Sequence, residues 1–196
     1  EVTFPSPVET DYENNNTVHC EYFQPKGEGP FPGVVVLHIL GGDFDLSRLM
    51  CRQFSYNGIA SLFVKLPYYG PRGTSGVDRE MISADPMEAV ECMTQGVLDI
   101  RRAAAWLGSQ PEVDADQLGI TGISLGGITS ALASAAEPRF KKVGLLLAGG
   151  DLGQIGFEAE EFAEIAKGWI EKGGSQEELI ELVKPVDPVT YAENVR

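Results

Sequence analysis

Ser124 lies in the run Gly122-Ile123-Ser124-Leu125-Gly126, a Gly-x-Ser-x-Gly pattern. That spacing marks a nucleophile elbow, a tight strand-to-helix turn that lifts one serine hydroxyl above a sheet. Glycines two residues before and after the serine leave room for the neighbouring strand and helix. The chemistry favoured is acyl transfer. The hydroxyl attacks a carbonyl carbon, and free amides at the start of the next helix face the negative charge that develops. The bland alternative is a glycine-rich turn, in a chain that holds 23 glycines. Other reactive residue types are sparse. Cys20, Cys51 and Cys92 are odd in number and far apart, which disfavours a disulfide framework and fits no zinc-ligand spacing. They are expected as partly buried thiols. The two histidines, His19 and His38, both precede Ser124.

Positioning such a serine requires a strand before it and a helix after it. Leu118 to Ile123 reads as the strand and Ile128 to about Ala136 as the helix. Upstream, residues 1–16 read as extension and turn, and Thr17 to Gln24 as an edge strand. Gly33 to His38 is a β-branched run of the kind buried on both faces of a parallel sheet. A helix is expected from about Phe44 to Tyr56, with Leu46, Leu49, Met50 and Phe54 inward. Ile59 to Val64 is the next strand. Asp85-Pro86-Met87-Glu88 opens a long helix, Asp85 capping and Glu88 completing a capping box. Lys142 to Ala148 is a further apolar strand. From Ile155 an acidic helical segment begins, with Phe162, Ile165, Ala166, Trp169 and Ile170 on one face; a second helix follows Ser175, boxed by Glu178. Strands alternating with helices predict an α/β fold with a mostly parallel sheet, a three-layer α/β/α sandwich. Ligands in such sheets sit beyond the carboxyl ends of the strands, where His38–Asp43, Pro67–Arg72, Ser124 and Gly149–Asp151 would converge.

The length suits one domain over residues 1–196, within which 151–185 is either a helical cap inserted over the site or an ordinary crossover packed on the sheet. A net charge of −14 repels nucleic acid and anionic membrane surfaces, so neither is an expected partner. No apolar run is long enough for a membrane span. Glu1-Val2-Thr3 does not read as a signal peptide, and the first residue is not Met. The compartment stays open between the cytoplasm and a secreted or periplasmic site reached after loss of an N-terminal segment. No metal constellation, phosphate loop or dinucleotide fingerprint occurs, so no cofactor is expected.

With these residues in hand, the chain resembles the α/β-hydrolase superfamily, and within it the dienelactone-hydrolase and acetyl-xylan-esterase-like branches. The resemblance runs from about Gly33 to Ala148. It is carried by Val34-Val35-Val36-Leu37-His38 entering a glycine loop and by the stretch from Val113 to Gly127. The latter is similar to the family's Asp-x-x-Arg-Ile-Gly lead-in to its elbow, with Gln117 where the family usually has Arg. Serine at 124, rather than cysteine, is closer to the esterases. The resemblance implies Ser124 as nucleophile, the Leu125 backbone N–H as one oxyanion donor, and the Leu40 N–H, in the 38–42 loop, as the second. His38 then reads as a brace for that loop rather than a base. Tyr68, Tyr69 and His38 are candidate pocket residues, Tyr-Tyr being as often simple packing.

In this fold the triad follows the order Ser, then Asp or Glu, then His. No histidine follows His38. The catalytic acid and histidine are therefore expected beyond residue 196, on two further strands and helices, and the fold is expected to be truncated at its C-terminus. Asp151 is an alternative acid, its bland reading a turn or helix cap. An apolar strand left at a sheet edge by such truncation would be an aggregation hazard. Completion by a C-terminal segment or a second chain is expected, a homodimer included. The leading function is a serine hydrolase cleaving a small acyl ester or lactone. The alternatives are a serine peptidase of the same fold and a non-catalytic binding or scaffold protein.

Overall fold

The computed structural model describes residues 1–42, 44–74, 81–83, 85–158 and 163–195. Six strands form one sheet: β1 (Val2–Pro5), β2 (Thr17–Phe23), β3 (Phe31–Leu37), β4 (Ala60–Val64), β5 (Val113–Ile123) and β6 (Phe140–Leu146). Their order across the sheet is β1-β2-β4-β3-β5-β6. β4, β3, β5 and β6 run parallel, and β2 pairs antiparallel with both β1 and β4. Thr17–Phe23, expected at the edge, is thus an interior strand. Val2–Pro5, expected as mere extension, takes the edge. Val18 and Cys20 lie buried between the two neighbours, which explains their apolar alternation.

Helices cover both faces. α1 (Phe44–Tyr56) packs on one, and α2 (Pro86–Gly108) and α3 (Leu125–Ala136) on the other. The β3 run supplies both layers: Val34 and Val36 meet Phe63 and Cys51 of the α1 side, while Val35 and Leu37 join Leu62, Val64, Ile100 and Leu107 on the α2 side. Such continuous apolar character is what a strand buried on two faces requires. The buried face of α1 differs from expectation. Ser47 and Cys51 are buried, whereas Leu46 and Leu49 are 38% and 51% exposed. The two small side chains let the helix approach the sheet, and the Ser61 hydroxyl donates to the Cys51 carbonyl at 3.2 Å.

The Asp85 carboxylate caps α2 by accepting from Met87 N–H at 2.9 Å. The reciprocal half of the expected capping box is replaced. The Ser83 hydroxyl donates to Glu88, and Ser83 Oγ accepts the Asp85 N–H at 3.1 Å. Among the described residues β6 is followed by the short α-helices α4 (Leu152–Glu158), α5 (Ala163–Glu171) and α6 (Gln176–Val183). α6 does carry the expected capping box, Ser175 and Glu178 bonding each other's backbone N–H. On the expected inward face of α5, Ala166 is buried but Ile170 is 48% exposed; Phe162 and the side chain of Ile165 lie outside the described residues. β6 is the outer strand, with Leu145 and Leu146 exposed at 44% and 45%.

Candidate active site

The serine turn is built by close approach. β5 ends at Ile123, and α3 begins at Leu125, three residues before the expected start. Ser124 sits between them with φ 51° and ψ −116°, a conformation that costs a non-glycine residue roughly 1–3 kcal/mol. A side chain at Gly122 would collide with the Gly126 carbonyl; one at Gly126 would sit 2.5 Å from the His38 oxygen and 2.8 Å from the Leu37 oxygen. The two glycines therefore let the start of α3 lie directly against the ends of β5 and β3. The Ser124 N–H donates to the Leu146 carbonyl at 2.9 Å, and the Ser124 carbonyl accepts from Ile128 N–H at 2.9 Å. A serine preceding a helix usually caps it with its side chain. Here Ser124 makes no such bond, and its half-buried hydroxyl has no hydrogen-bond partner among the described residues.

The loop after β3 is held from below by His38, which is fully buried. Its Nδ1 lies 2.7 Å from the Ile39 carbonyl oxygen, which can only accept, so Nδ1 carries the proton. Its Nε2 accepts the Leu66 N–H at 3.1 Å. Both ring nitrogens are committed, and the ring packs edge-on against Phe44, Phe63 and Tyr69. Burial pushes the imidazole down to about 4 and Lys65 adds to this, against the pull of the Ile39 carbonyl. His38 is a neutral brace. In a planar trans peptide the N–H points opposite to the C=O. Fixing the Ile39 carbonyl on His38, with Gly42 N–H also donating to it at 3.3 Å, therefore fixes the direction of the Leu40 amide. Gly41 and Gly42 both take positive φ to complete this turn.

A cavity of about 540 Å³ brings together Ser124, Leu125, Ile39 and Leu40. α2, α4 and α6 wall it with Val90, Met93, Ile155, Leu179 and Val183. Among the lining residues the only polar side chains are Ser83 and Ser124, and none is titratable. Four candidates from the sequence do not line this cavity: His38, which lies beneath the loop as its brace, Tyr68, Tyr69 and Asp151. Tyr68 and Tyr69 are buried in the core at 8% and 9% exposure, Tyr68 with φ 67° and its N–H held by the Asn15 side chain at 3.1 Å. Asp151 is exposed, and its carbonyl accepts from Gln154 and Ile155 at the start of α4, as a turn residue does.

Two residues that sequence reasoning missed organise the surroundings. The Asp187 carboxylate accepts from the backbone N–H groups of Asp151, Leu152 and Val189, tying the chain after α6 to the turn that enters α4. Arg72, fully buried, donates to Asp99 at 2.7 Å and to the carbonyls of Lys65 and Asn15. Burial pushes the Asp99 carboxyl up, while Arg72 and the Ser6 hydroxyl hold it the other way. Residues 1–16 thus strap the 65–72 loop that His38 leans on. The only sequence signal was a polar run placed just before an apolar strand.

A mostly parallel sheet with helices on both faces and a strained serine between strand and helix define an α/β-hydrolase fold. The sequence matches the family described as alpha/beta hydrolase domain containing 18 over residues 3–148, and the chain belongs to that family. Acetyl xylan esterase 1 of Thermoanaerobacterium sp. JW/SL YS485 has a similar structure, with a TM-score of 0.75 at 17% identity over 100% of this chain and 69% of that chain. The acetyl xylan esterase of Paenibacillus sp. R4 gives 0.69 at 23% identity over 92% and 62%. A puromycin hydrolase gives 0.67 at 21% identity over 100% and 29%. At these identities the likeness is one of fold. An uncharacterized Mycobacterium tuberculosis protein is 34% identical over 82 residues, 41% of this chain and 19% of that protein. The resemblance to α/β hydrolases read from the sequence is thereby shown.

Proposed function

We propose that the chain carries the nucleophile and oxyanion site of a carboxylic ester hydrolase. The observation that carries this reading is the setting of Ser124: strained backbone, a hydroxyl without a partner among the described residues, and a position on the wall of a cavity that Leu125 and Leu40 also line. Ser124 Oγ attacks the ester carbonyl. The Leu125 and Leu40 N–H groups hold the resulting oxyanion, each contributing on the order of 3 kcal/mol to lowering the barrier. The alcohol departs, and water releases the acyl group from Ser124.

Both proton transfers need a base. His38 is locked, His19 belongs to β2, and among the described residues no titratable side chain lines the cavity. We therefore assign the imidazole to polypeptide outside these 196 residues, from the same or a second chain, since no histidine follows His38. The lack of a base beside Ser124 among the described residues also supports the second reading, a non-catalytic scaffold with a ligand cavity. Fluorophosphonate labelling of Ser124, read by mass, together with p-nitrophenyl acetate turnover, separates the two. Labelling lost in Ser124→Ala supports the hydrolase. No labelling even when the chain is supplied with polypeptide continuing past Arg196 supports the scaffold. A peptidase of the same fold would label too, but would turn over peptide amides.

A further inference from the structure

The cavity's chemistry narrows the substrate, and the inference rests on the reading of Ser124 as nucleophile. At about 30 Å³ per water-sized atom, 540 Å³ gives space for roughly eighteen non-hydrogen atoms, far beyond an acetyl group. Its walls offer almost nothing to a polar guest. Of its two polar side chains, Ser83 is already engaged, donating to Glu88 and accepting from Asp85. The other is Ser124. A sugar ester placed here would lose water from several hydroxyls and find few side-chain partners among the described residues, which is unfavourable for each unpaired one. An anionic lactone would find no cation among the described residues of the wall, in a chain of net charge −14. Met93, Val90, Ile128, Ile155, Leu179 and Val183 instead form a continuous apolar lining drawn from four helices. Methionine in such a lining adapts to guests of varying shape.

We propose that the substrate is an ester with a hydrocarbon part of four or more carbons, which this cavity buries while Ser124 attacks the carbonyl at its wall. The step forms the Ser124 Oγ–acyl bond and breaks the bond to the alcohol, which leaves with the serine proton. Each methylene buried should raise affinity about fourfold. Selectivity resides in the walls from α2, α4 and α6, so it changes with the side chains there and not with the turn that carries Ser124.

The test uses the Ser124→Ala variant, which binds without turnover, titrated calorimetrically with two series. One is methyl alkanoates from butanoate upward; the other is alkyl acetates of matching length. Affinity should rise about fourfold per methylene, about 15-fold over two, in whichever series reproduces the buried part, with a negative heat-capacity change. Acetylated xylobiose should bind no better than methyl acetate. Ala89→Trp, which fills the lining from α2, should flatten the rise. Should that variant misfold, the chain-length series still decides. Affinity independent of length in both series, or tighter binding of the sugar ester, overturns the proposal. Failure of the nucleophile reading looks different: affinity climbs with length while wild-type Ser124 resists fluorophosphonates even with polypeptide continuing past Arg196 supplied.

Discussion

His38 should make the fold acid-sensitive in a window where few other groups titrate. Its imidazole is held at about 4 by burial, against an unfolded value near 6.5. Between those values the unfolded chain binds a proton that the folded chain refuses. Stability is therefore full above about pH 6.5 and is lost as pH falls toward 4. The span of about 2.5 pH units at about 1.4 kcal/mol each gives a loss of about 3.5 kcal/mol. The His19 imidazole is also lowered, mainly by burial, and Glu21 is held at about 2 by Arg48 and Lys65. Both push in the same direction, so the comparison must isolate His38. His38→Gln does so: its amide oxygen can still accept the Leu66 N–H, but nothing there can gain a proton. Urea unfolding followed by the fluorescence of Trp106 and Trp169, from about pH 7 to about pH 4.5, gives the two curves. The variant should start about 1 kcal/mol lower at neutral pH, having lost the bond to Ile39. It should then fall less steeply than wild type by close to one proton. Parallel curves would refute the reasoning, because His38 would then titrate alike in both states. In wild type, labelling of Ser124 should slow over the same window, since protonated His38 must release Leu66 and with it the Leu40 loop.

Ser124→Gly should abolish fluorophosphonate labelling yet raise unfolding free energy by about 1 kcal/mol, because glycine tolerates φ 51° and ψ −116°; a less stable variant would argue against a strained turn. Gly126→Ala drives a methyl into the carbonyls of His38 and Leu37 and should cost about 1–3 kcal/mol in urea unfolding, with loss of labelling. Asp99→Leu leaves Arg72 charged and uncompensated in the interior, a loss of about 3–5 kcal/mol that thermal unfolding would register as a fall of roughly 10 °C.

The serine turn was legible because its demands are local. Gly122 and Gly126 admit no Cβ, and that requirement survives in a five-residue pattern. The parallel core was legible because β3 must be apolar on both faces. What the sequence hid is long-range and polar. Asn15 lies in a run of three asparagines that reads as a surface turn, yet it is fully buried, its side chain bonded to Gln95 and its carbonyl to Arg72. No local pattern announces partners eighty residues away. The α1 face misled for another reason. Leu46 and Leu49 fit helical spacing as well as the observed face does, and the choice was made by Ser47 and Cys51, whose small size allows close packing. Tyr68 and Tyr69 sit near the site in sequence but fill the core, because the Arg72 network draws their loop inward.

The division of labour around the oxyanion loop has a kinetic consequence. A single histidine fixes the Ile39 carbonyl and so the Leu40 amide, and the Leu125 amide is fixed by the start of α3. On the proposed reading both donors would be in place before any substrate arrives, and their contribution would not depend on a base. In serine hydrolases that lose a triad member, the donors and binding alone leave roughly 10³–10⁴-fold acceleration over water. The 196-residue chain should hydrolyse a p-nitrophenyl ester at about that residual level. His38→Gln should lower the residual rate, because it loosens the Leu40 amide. Loss of a general base would leave a different trace, since His38→Gln would then abolish a pH-dependent rate rather than scale down a flat one. A rate at the level of buffer alone would mean that the amides do not face the carbonyl, and the oxyanion assignment of Leu40 and Leu125 would fail with it.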